Sequence, residues 1–241
     1  MNQQAVYIIS IMKSGISSAT QFLKDVGYEH AWPINTRYGD YLHWFEREEP
    51  KEPMCAEINH PHFFSDQPIF LLWKEFHKVS PDSKFIFTDR PADDWCNSFL
   101  NHNIINLMKV DSVNNMWNHF LKMDDFGLLK LVKKEVERDT DGFLKGCVYE
   151  ESEDFGGITF TKFLVNSIKK SFPEEIEKIK QKYVEHNKQV KDYFKDNKNF
   201  FYSPLYEVDS NKLIDFLNPP SGFNRNIKWG HHNKTKKLEV N

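Results

Sequence analysis

The stretch of sequence that most constrains the fold is AVYIISIMKSGISSATQFLKDVGY, residues 5–28. It opens with a short apolar run, residues 6–11, whose β-branched side chains and lack of alternation are typical of a buried strand in a parallel sheet. A tight Met-Lys-Ser-Gly turn follows, and apolar side chains then recur at helical spacing: Ala19, Phe22, Leu23 and Val26. We expect this helix to begin with Ser17 or Ser18 near its N-cap and to end at Gly27.

Strand and helix signals alternate through much of the remaining chain. Residues 84–88 and the stretch KNFFYSPL predict further buried strands, and YEHAWPI predicts another after the first helix. A long charged helix is predicted from about residue 173 to 194, whereas residues 35–62 predict loops and short helices. We therefore predict a three-layer α/β fold, with a central, mostly parallel sheet flanked by helices. In such sheets ligands bind at the carboxyl ends of the strands.

The composition is that of an ordinary globular protein, with 39% hydrophobic and 28% charged residues among 241. We expect a single domain over residues 1–241, with a basic irregular segment from about residue 219 onwards. The net charge of −3 argues against general nucleic-acid binding. Three widely spaced cysteines argue against a disulfide framework, and no apolar run reaches the roughly 18–20 residues of a membrane span. We expect a cytoplasmic protein with no membrane or nucleic-acid partner.

The turn after the first strand has the composition of an anion-binding loop. A helix N-terminus offers backbone amides and about half a unit of positive charge, and Lys13, Ser14 and Gly15 stand directly before it. Ser17 and Ser18 add hydroxyl donors. The alternative is a tight turn with a solvent-exposed lysine. The order differs from a Walker A loop, in which the lysine follows the second glycine, so we expect a shorter anion loop.

A second basic position lies at a later strand end. Arg90 ends the predicted strand KFIFTDR, and Ser98 follows eight residues later. A guanidinium group at a strand end can make a forked contact to a phosphate. The alternatives are an ion pair of Arg90 with Asp93 or Asp94, and a helix-surface position for Ser98.

Together, the two junctions resemble the sulfotransferase family. Lys-Ser-Gly-x-Ser-Ser resembles its 5′-phosphosulfate loop, commonly Lys-Ser-Gly-Thr-Thr, and Arg90 with Ser98 is similar to its 3′-phosphate site. The resemblance implies a P-loop-like fold and sulfuryl transfer from 3′-phosphoadenosine 5′-phosphosulfate (PAPS), which leaves 3′-phosphoadenosine 5′-phosphate (PAP) and needs no metal. It also implies a catalytic role for Lys13, which would neutralise charge on the bridging oxygen. The residues that it assigns to the 5′-phosphosulfate are Lys13, Ser14, Gly15, Ile16, Ser17 and Ser18.

The family usually carries a histidine general base between the two junctions, in a His-x-Pro context. In the comparable stretch, CAEINHPHFF, alignment on Pro61 puts Asn59 at that position. An imidazole suits proton removal at neutral pH. We therefore expect His60 to be the base, then His62, with Glu57 as a carboxylate alternative.

The family commonly closes its nucleotide site with a late basic-glycine loop. Arg225 and Lys228, in FNRNIKWGHHNK, are the candidates here, although their order differs from the family's Arg-Lys-Gly. The expected acceptor is a small molecule with a hydroxyl or amine group. Two other functions stay open: an ATP-dependent P-loop kinase-like enzyme, for which Asp89 is the nearest Walker B candidate, and a non-catalytic nucleotide-binding protein.

Overall fold

A parallel β-sheet organises the described part of the chain. The computed structural model describes the following residues, with the side chains of 79 and 103–108 excepted: 5–31, 61–65, 69–70, 72–108, 131, 134 and 165–230. The strands among them are β1 Val6–Ile8, β2 Glu29–His30, β3 His62–Phe64, β4 Lys84–Asp89 and β5 Phe200–Pro204. The helices are α1 Ile16–Val26, α2 Trp73–Val79, α3 Ala92–Met108, α4 Pro173–Phe194 and α5 Ser210–Leu217, with a 3₁₀ helix at Leu205–Glu207. The predicted α/β fold is confirmed.

The strands lie in the order β2-β3-β1-β4-β5, and every pairing is parallel. Tyr7 of β1 stands opposite Phe64 of β3 and Phe85 of β4, so β1 is the central strand. We call the edge at which the strands end the carboxyl edge, and the opposite one the amino edge. The turn after β1 therefore opens at the carboxyl edge, where ligands bind in sheets of this kind.

Helices α1 and α5 cover one face of the sheet. Their apolar side chains pack against Val6, Ile8, Phe63 and Ile86 of the strands, and the helical members of this core are Ile16, Ala19, Phe22, Leu23, Val26, Leu213, Ile214 and Leu217. Burying one large side chain of this kind contributes about 1.5–3 kcal/mol. This packing fixes the direction of α1, whose N-terminus faces the carboxyl edge.

Aromatic rings fill the opposite face. The ring of Tyr7 stacks on Phe64 and Phe85, with centroid distances of 5.0 and 5.3 Å. Phe76 of α2 lies 5.4 Å from Tyr7, and Phe194 in the last turn of α4 lies 5.1 Å from Phe85. Each such pair adds roughly 0.5–1.5 kcal/mol to the burial of its surface. The high phenylalanine content of the sequence therefore serves, in part, to build this layer.

The two ends of α1 are both set by glycine. Its N-cap is Gly15, with a left-handed φ of 108° and no side-chain cap, so the predicted cap at Ser17 or Ser18 is wrong. Both serines are inside the helix because the turn ends one residue before Ile16. At the other end the prediction is confirmed: Gly27 has a φ of 120° and donates its N–H to the carbonyls of Leu23 and Lys24.

Strand β3 was not predicted. It begins at His62, in the stretch assigned to loops, and all three of its residues are buried. Three residues are too few to show the period that identifies a strand, and a fully buried strand does not alternate. Its position matters, because β3 borders the turn after β1.

The chain divides into two compact units, residues 1–90 with 191–241, and residues 91–190. The sheet belongs to the first unit. In the second, Trp95 of α3 stacks on Tyr183 of α4 at 4.1 Å, and Lys180 forms an ion pair with Asp93 at 2.7 Å. None of the described helices combines the length and the apolar composition of a membrane span. The predicted single domain stays a prediction.

Candidate functional site

The turn after β1, residues 12–15, makes a tight loop that we call the anion loop. Two of its residues are left-handed, Lys13 with a φ of 71° and Gly15 with a φ of 108°. A lysine in this conformation costs about 1–2 kcal/mol. A Cβ atom on Gly15 would lie 2.4 Å from Leu205 Cδ1 and 2.9 Å from Thr88 Oγ1. Both the backbone conformation and the available space therefore require glycine at position 15.

Buried hydroxyl groups fasten the anion loop to β4. Thr88 Oγ1 donates to the carbonyl of Ser14 at 2.6 Å, and the Thr88 N–H donates to Ser10 Oγ at 2.7 Å. Ser10 Oγ also lies 3.0 Å from Thr88 Oγ1. Because the Thr88 hydroxyl uses its hydrogen on Ser14, Ser10 must be the donor in that contact. The loop is thus positioned by a chain of three bonds before any ligand arrives.

The N-terminus of α1 opens at this loop. Its first helical hydrogen bond runs from the Ala19 N–H to the Gly15 carbonyl at 2.9 Å, so the amides of residues 16–18 precede the helical ladder. No acidic side chain stands in the first turn to offset the helix dipole. Ser14 and Ser18 are buried, Lys13 is half-buried and Ser17 is exposed. This arrangement suits an anion held by backbone amides, the Lys13 ammonium and the Ser17 hydroxyl.

Arg90, the residue after β4, meets the anion loop. Its Nη1 donates to the carbonyl of Lys13 at 3.3 Å, and its Nη2 donates to the hydroxyl of Tyr206 at 2.8 Å. The guanidinium carbon lies 5.7 Å from the centre of the Tyr206 ring. The structure therefore brings Lys13 and Arg90 together at the carboxyl edge, as the sequence predicted. Tyr206 had no predicted role, since nothing in KNFFYSPLYE distinguishes it from a surface aromatic residue.

Asp89, one residue earlier, is already engaged. Its carboxylate forms an ion pair with Lys191 at 3.1 Å and accepts hydrogen bonds from Tyr202 at 3.1 and 3.3 Å. Burial and this carboxylate raise the pKa of Tyr202, so the phenol stays protonated and donates. These contacts neutralise the one acidic side chain of β4 and occupy the oxygens that a Walker B aspartate would offer to a metal ion.

Ser98 lies in the second turn of α3 and is half-buried. It belongs to the second compact unit, whereas Arg90 belongs to the first. Its role at a phosphate stays a prediction. Asp93, an alternative partner predicted for Arg90, pairs with Lys180 instead.

Of the predicted bases, His62 lies within the described residues and the others do not. His60 and Glu57 lie outside the described residues. His62 is the first residue of β3, is buried, and packs its ring edge-on against Phe64 at 5.1 Å. Because Val6 pairs with Phe63, His62 is level with Ala5, about three residues or roughly 10 Å before the end of β1. The structure therefore places His62 toward the amino edge, away from the anion loop.

The predicted late loop is irregular, and residues 219–230 contain no helix or strand. It packs along α1: the Asn224 N–H donates to the Val26 carbonyl at 3.1 Å, and the Trp229 ring lies 5.7 Å from that of Phe22. Arg225 is exposed and its charge acts on Tyr28. Burial raises the pKa of Tyr28 to about 12. Arg225 therefore stands at the C-terminal end of α1, about 16 Å along the helix from the anion loop. Lys228 is exposed further along this segment.

Within the described residues, no group of three or more histidine, cysteine, aspartate or glutamate side chains could hold a metal ion.

The family comparison covers nearly the whole chain: a family model described as a sulfotransferase domain matches residues 5–238. The matched region includes the anion loop, Arg90 and the segment that packs along α1. A search of the curated proteins finds no match to this chain.

Proposed function

The chain belongs to the sulfotransferase domain family, and we propose that it transfers a sulfuryl group from PAPS to a hydroxyl or amine of a small-molecule acceptor, releasing PAP. Domains of this family have a P-loop-like α/β fold, and the family implies a transferase. The observation that carries the choice of donor is the meeting of Arg90 with Lys13 at the carboxyl edge. The wide spacing of the three cysteines and the lack of an apolar run as long as a membrane span favour a cytoplasmic setting.

The residues at the carboxyl edge fit a donor with two anionic ends. The amides of residues 16–18, Lys13 and Ser17 suit the 5′-phosphosulfate, because they combine a helix N-terminus with a full positive charge. Arg90 suits the 3′-phosphate, and the Tyr206 hydroxyl holds one arm of its guanidinium fork in place. We assign Ser98 to the same phosphate on the basis of its spacing from Arg90 alone.

The proposed chemistry is an in-line displacement at sulfur. The acceptor oxygen or nitrogen forms a bond to sulfur while the bond from sulfur to the bridging phosphate oxygen breaks, and a base takes the acceptor proton. Negative charge grows on the leaving phosphate, next to the N-terminus of α1 and the Lys13 ammonium. Preorganised charge of this kind typically contributes about 100- to 1,000-fold in rate per donor group. The buried Ser10–Thr88–Ser14 chain keeps the donors in place without ligand.

The kinase-like alternative is weakened by Asp89. A P-loop kinase needs an acidic side chain at a strand end for its magnesium ion, and here Lys191 and Tyr202 engage that carboxylate. We therefore keep ATP as the competing ligand in the test and do not propose a second function.

A calorimetric titration tests the proposal. We expect PAP to bind equally well with magnesium and with a chelator, and to bind more tightly than magnesium-ATP. Incubation with PAPS and a simple phenol should then release PAP and sulfated phenol in equal amounts. Preference for magnesium-ATP would contradict the choice of donor. Tight PAP binding without any transfer to phenols, alcohols or amines would leave a binding protein and contradict the enzyme assignment.

A further inference from the structure

An acidic side chain stands next to the proposed phosphate-binding arginine. Asp89 is the last residue of β4, and Arg90 follows it directly. A carboxylate in this place repels a phosphate and competes with it for the guanidinium group. The Asp89 side chain is only 15% exposed, so salt and solvent screen its charge little. An anion site beside it therefore works well only if this carboxylate is neutralised and held elsewhere.

Two side chains engage the Asp89 carboxylate. Lys191 Nζ lies 3.1 Å from Oδ2, and the Tyr202 hydroxyl donates to Oδ1 and Oδ2 at 3.1 and 3.3 Å. The Lys191 ammonium also lies 4.9 Å from the centre of the Tyr202 ring, within the range of a cation–π contact. Both carboxylate oxygens are thus bound by partners other than Arg90.

The fold explains why Lys191 reaches this carboxylate. Asp89 shares its face of β4 with Phe85 and Phe87, because side chains alternate along a strand. Phe194 in the last turn of α4 packs on Phe85 at 5.1 Å, and Lys191 precedes Phe194 by three residues, on the same side of the helix. Helix α4 therefore brings an ammonium group to the aromatic face of the sheet at the end of β4.

Arg90 makes its contacts at the anion loop instead. Its Nη1 and Nη2 donate to the carbonyl of Lys13 and to the hydroxyl of Tyr206, two neutral oxygens that do not offset the guanidinium charge. The two adjacent charged residues thus have different kinds of partner: a cation for the carboxylate, and neutral acceptors for these two guanidinium nitrogens.

We propose that Lys191 is a positioning residue of the nucleotide site, which holds and neutralises Asp89 and so keeps the charge of Arg90 directed at the 3′-phosphate. The inference rests on the proposed sulfotransferase function. Without Lys191, the Tyr202 hydroxyl alone would hold the carboxylate, whose negative charge would then be uncompensated and would compete with the phosphate for Arg90. The role concerns affinity for the nucleotide and not the sulfuryl-transfer step.

Calorimetry with PAP compares variants of this ion pair. We expect Lys191→Met to weaken PAP binding by about 5- to 15-fold, the effect of one unit charge roughly 10–15 Å from the phosphate at an effective dielectric constant of about 20. Lys191→Arg keeps the charge and the contact with the Tyr202 ring, so its Kd should stay within about twofold of the wild type. Lys195→Met is the matched control, because it removes an exposed ammonium group just beyond α4 and should leave the Kd unchanged.

A second substitution shows whether Lys191 acts through Asp89. Adding Asp89→Asn to Lys191→Met should restore the wild-type affinity for PAP, because the charge that Lys191 offsets is then gone. A double variant that still binds PAP weakly would mean that Lys191 contacts the nucleotide itself, and would overturn the inference. Full affinity in Lys191→Met alone would overturn it as well.

Adenosine 5′-monophosphate, which lacks the 3′-phosphate, separates this role from general damage to the fold. Lys191→Met should bind it nearly as well as the wild type does, and an equal loss for both nucleotides would contradict the inference. With PAPS as donor, KM should rise while kcat stays nearly constant. Lys191→Gln, whose amide can still donate to Asp89 without a charge, keeps the test valid if Lys191→Met folds poorly. A wild type that does not bind PAP contradicts the proposed function itself, which distinguishes that failure from one confined to Lys191.

Discussion

The two sides of the anion loop are built differently. On the β4 side the loop is held by three buried bonds of 2.6–3.0 Å, and Arg90 reaches across to the Lys13 carbonyl. On the β3 side, Ser65 directly after the strand makes two side-chain contacts, one of 3.0 Å to His30 Nε2 and one of 3.4 Å from Thr20 Oγ1. The β4 side is therefore fixed before ligand arrives, while the β3 side is bound less tightly.

This difference matches the two halves of a transfer reaction. In the proposed reaction the nucleotide donor is the same molecule in every turnover, and the rate depends on holding its charged ends where charge develops, so a rigid donor side is favoured. The acceptor side must admit a second molecule and take a proton from it. A side with fewer and longer side-chain contacts suits the entry of a second molecule better than a fully buried network.

Replacing Gly15 by alanine should have the largest effect. The new Cβ would meet Leu205 and Thr88 at 2.4 and 2.9 Å, and the φ of 108° would be strained as well. We expect a loss of about 2–4 kcal/mol in the free energy of unfolding, measured with urea, because strain and overpacking add. PAP binding should become undetectable, since the loop must move away from Thr88.

Gly222 is the matched control for this change. It has a φ of 92°, but a Cβ there meets nothing within 4 Å. Gly222→Ala should therefore show the cost of the backbone conformation alone, about 1 kcal/mol, with PAP affinity unchanged. Equal losses in the two variants would mean that the contact between the loop and β4 contributes little, and the contrast between the two sides would disappear.

The second prediction concerns which arginine binds the nucleotide. Arg90→Ala should weaken PAP binding by about 10- to 100-fold, the range expected for loss of charge-assisted bonds. Arg90→Lys should recover little, because an ammonium cannot keep the fork that spans Lys13 and Tyr206. Arg225→Ala removes the same charge from the far end of α1 and should change the Kd less than twofold. A larger effect at Arg225 would mean that the late loop, not Arg90, binds the 3′-phosphate.

The fold was largely predictable where elements are long or flanked by strong signals. Helical periodicity in the sequence predicted α1 and α4, and the apolar run before Asp89 predicted β4. The short strand β3 could not be found, because its three buried residues carry no period and its pairing with β1 is a long-range property. The Gly15 cap was missed for a local reason: serine is the commoner cap, and only the left-handed turn shows that glycine takes that place.

The candidate site was likewise predictable only in part. Lys13 and Arg90 were predicted because each directly follows a strand, and parallel strands bring their ends together. The motif around Pro61 predicted His60, His62 and Glu57 as candidate bases, and the register of β3 places His62 toward the amino edge, while the other two lie outside the described residues. Polar residues within apolar runs of the sequence, such as Ser10 and Thr88, were the available signal for the buried bonds that hold the loop.

The smallest expected effect concerns a structural histidine and the pH dependence of stability. His77 of α2 lies outside the carboxyl-edge site, and burial lowers its pKa. The Asn197 Nδ2 group donates to His77 Nε2 at 3.0 Å, so Nδ1 carries the proton and donates to the Tyr193 hydroxyl at 2.9 Å. Asn197 Oδ1 accepts from the Asn199 N–H at 2.8 Å, which opposes a flip of the amide.

A proton added to His77 would therefore face a donor. Because the folded-state pKa lies below the unfolded value of about 6.5, this histidine's contribution to stability is present above that pH and is lost as the pH falls through the folded value. His77→Gln should flatten the dependence of the unfolding midpoint on pH below neutrality and leave the pH profile of kcat/KM unchanged. If His77→Gln moved the kinetic profile, the pH dependence of kcat/KM would report stability rather than proton transfer at the site.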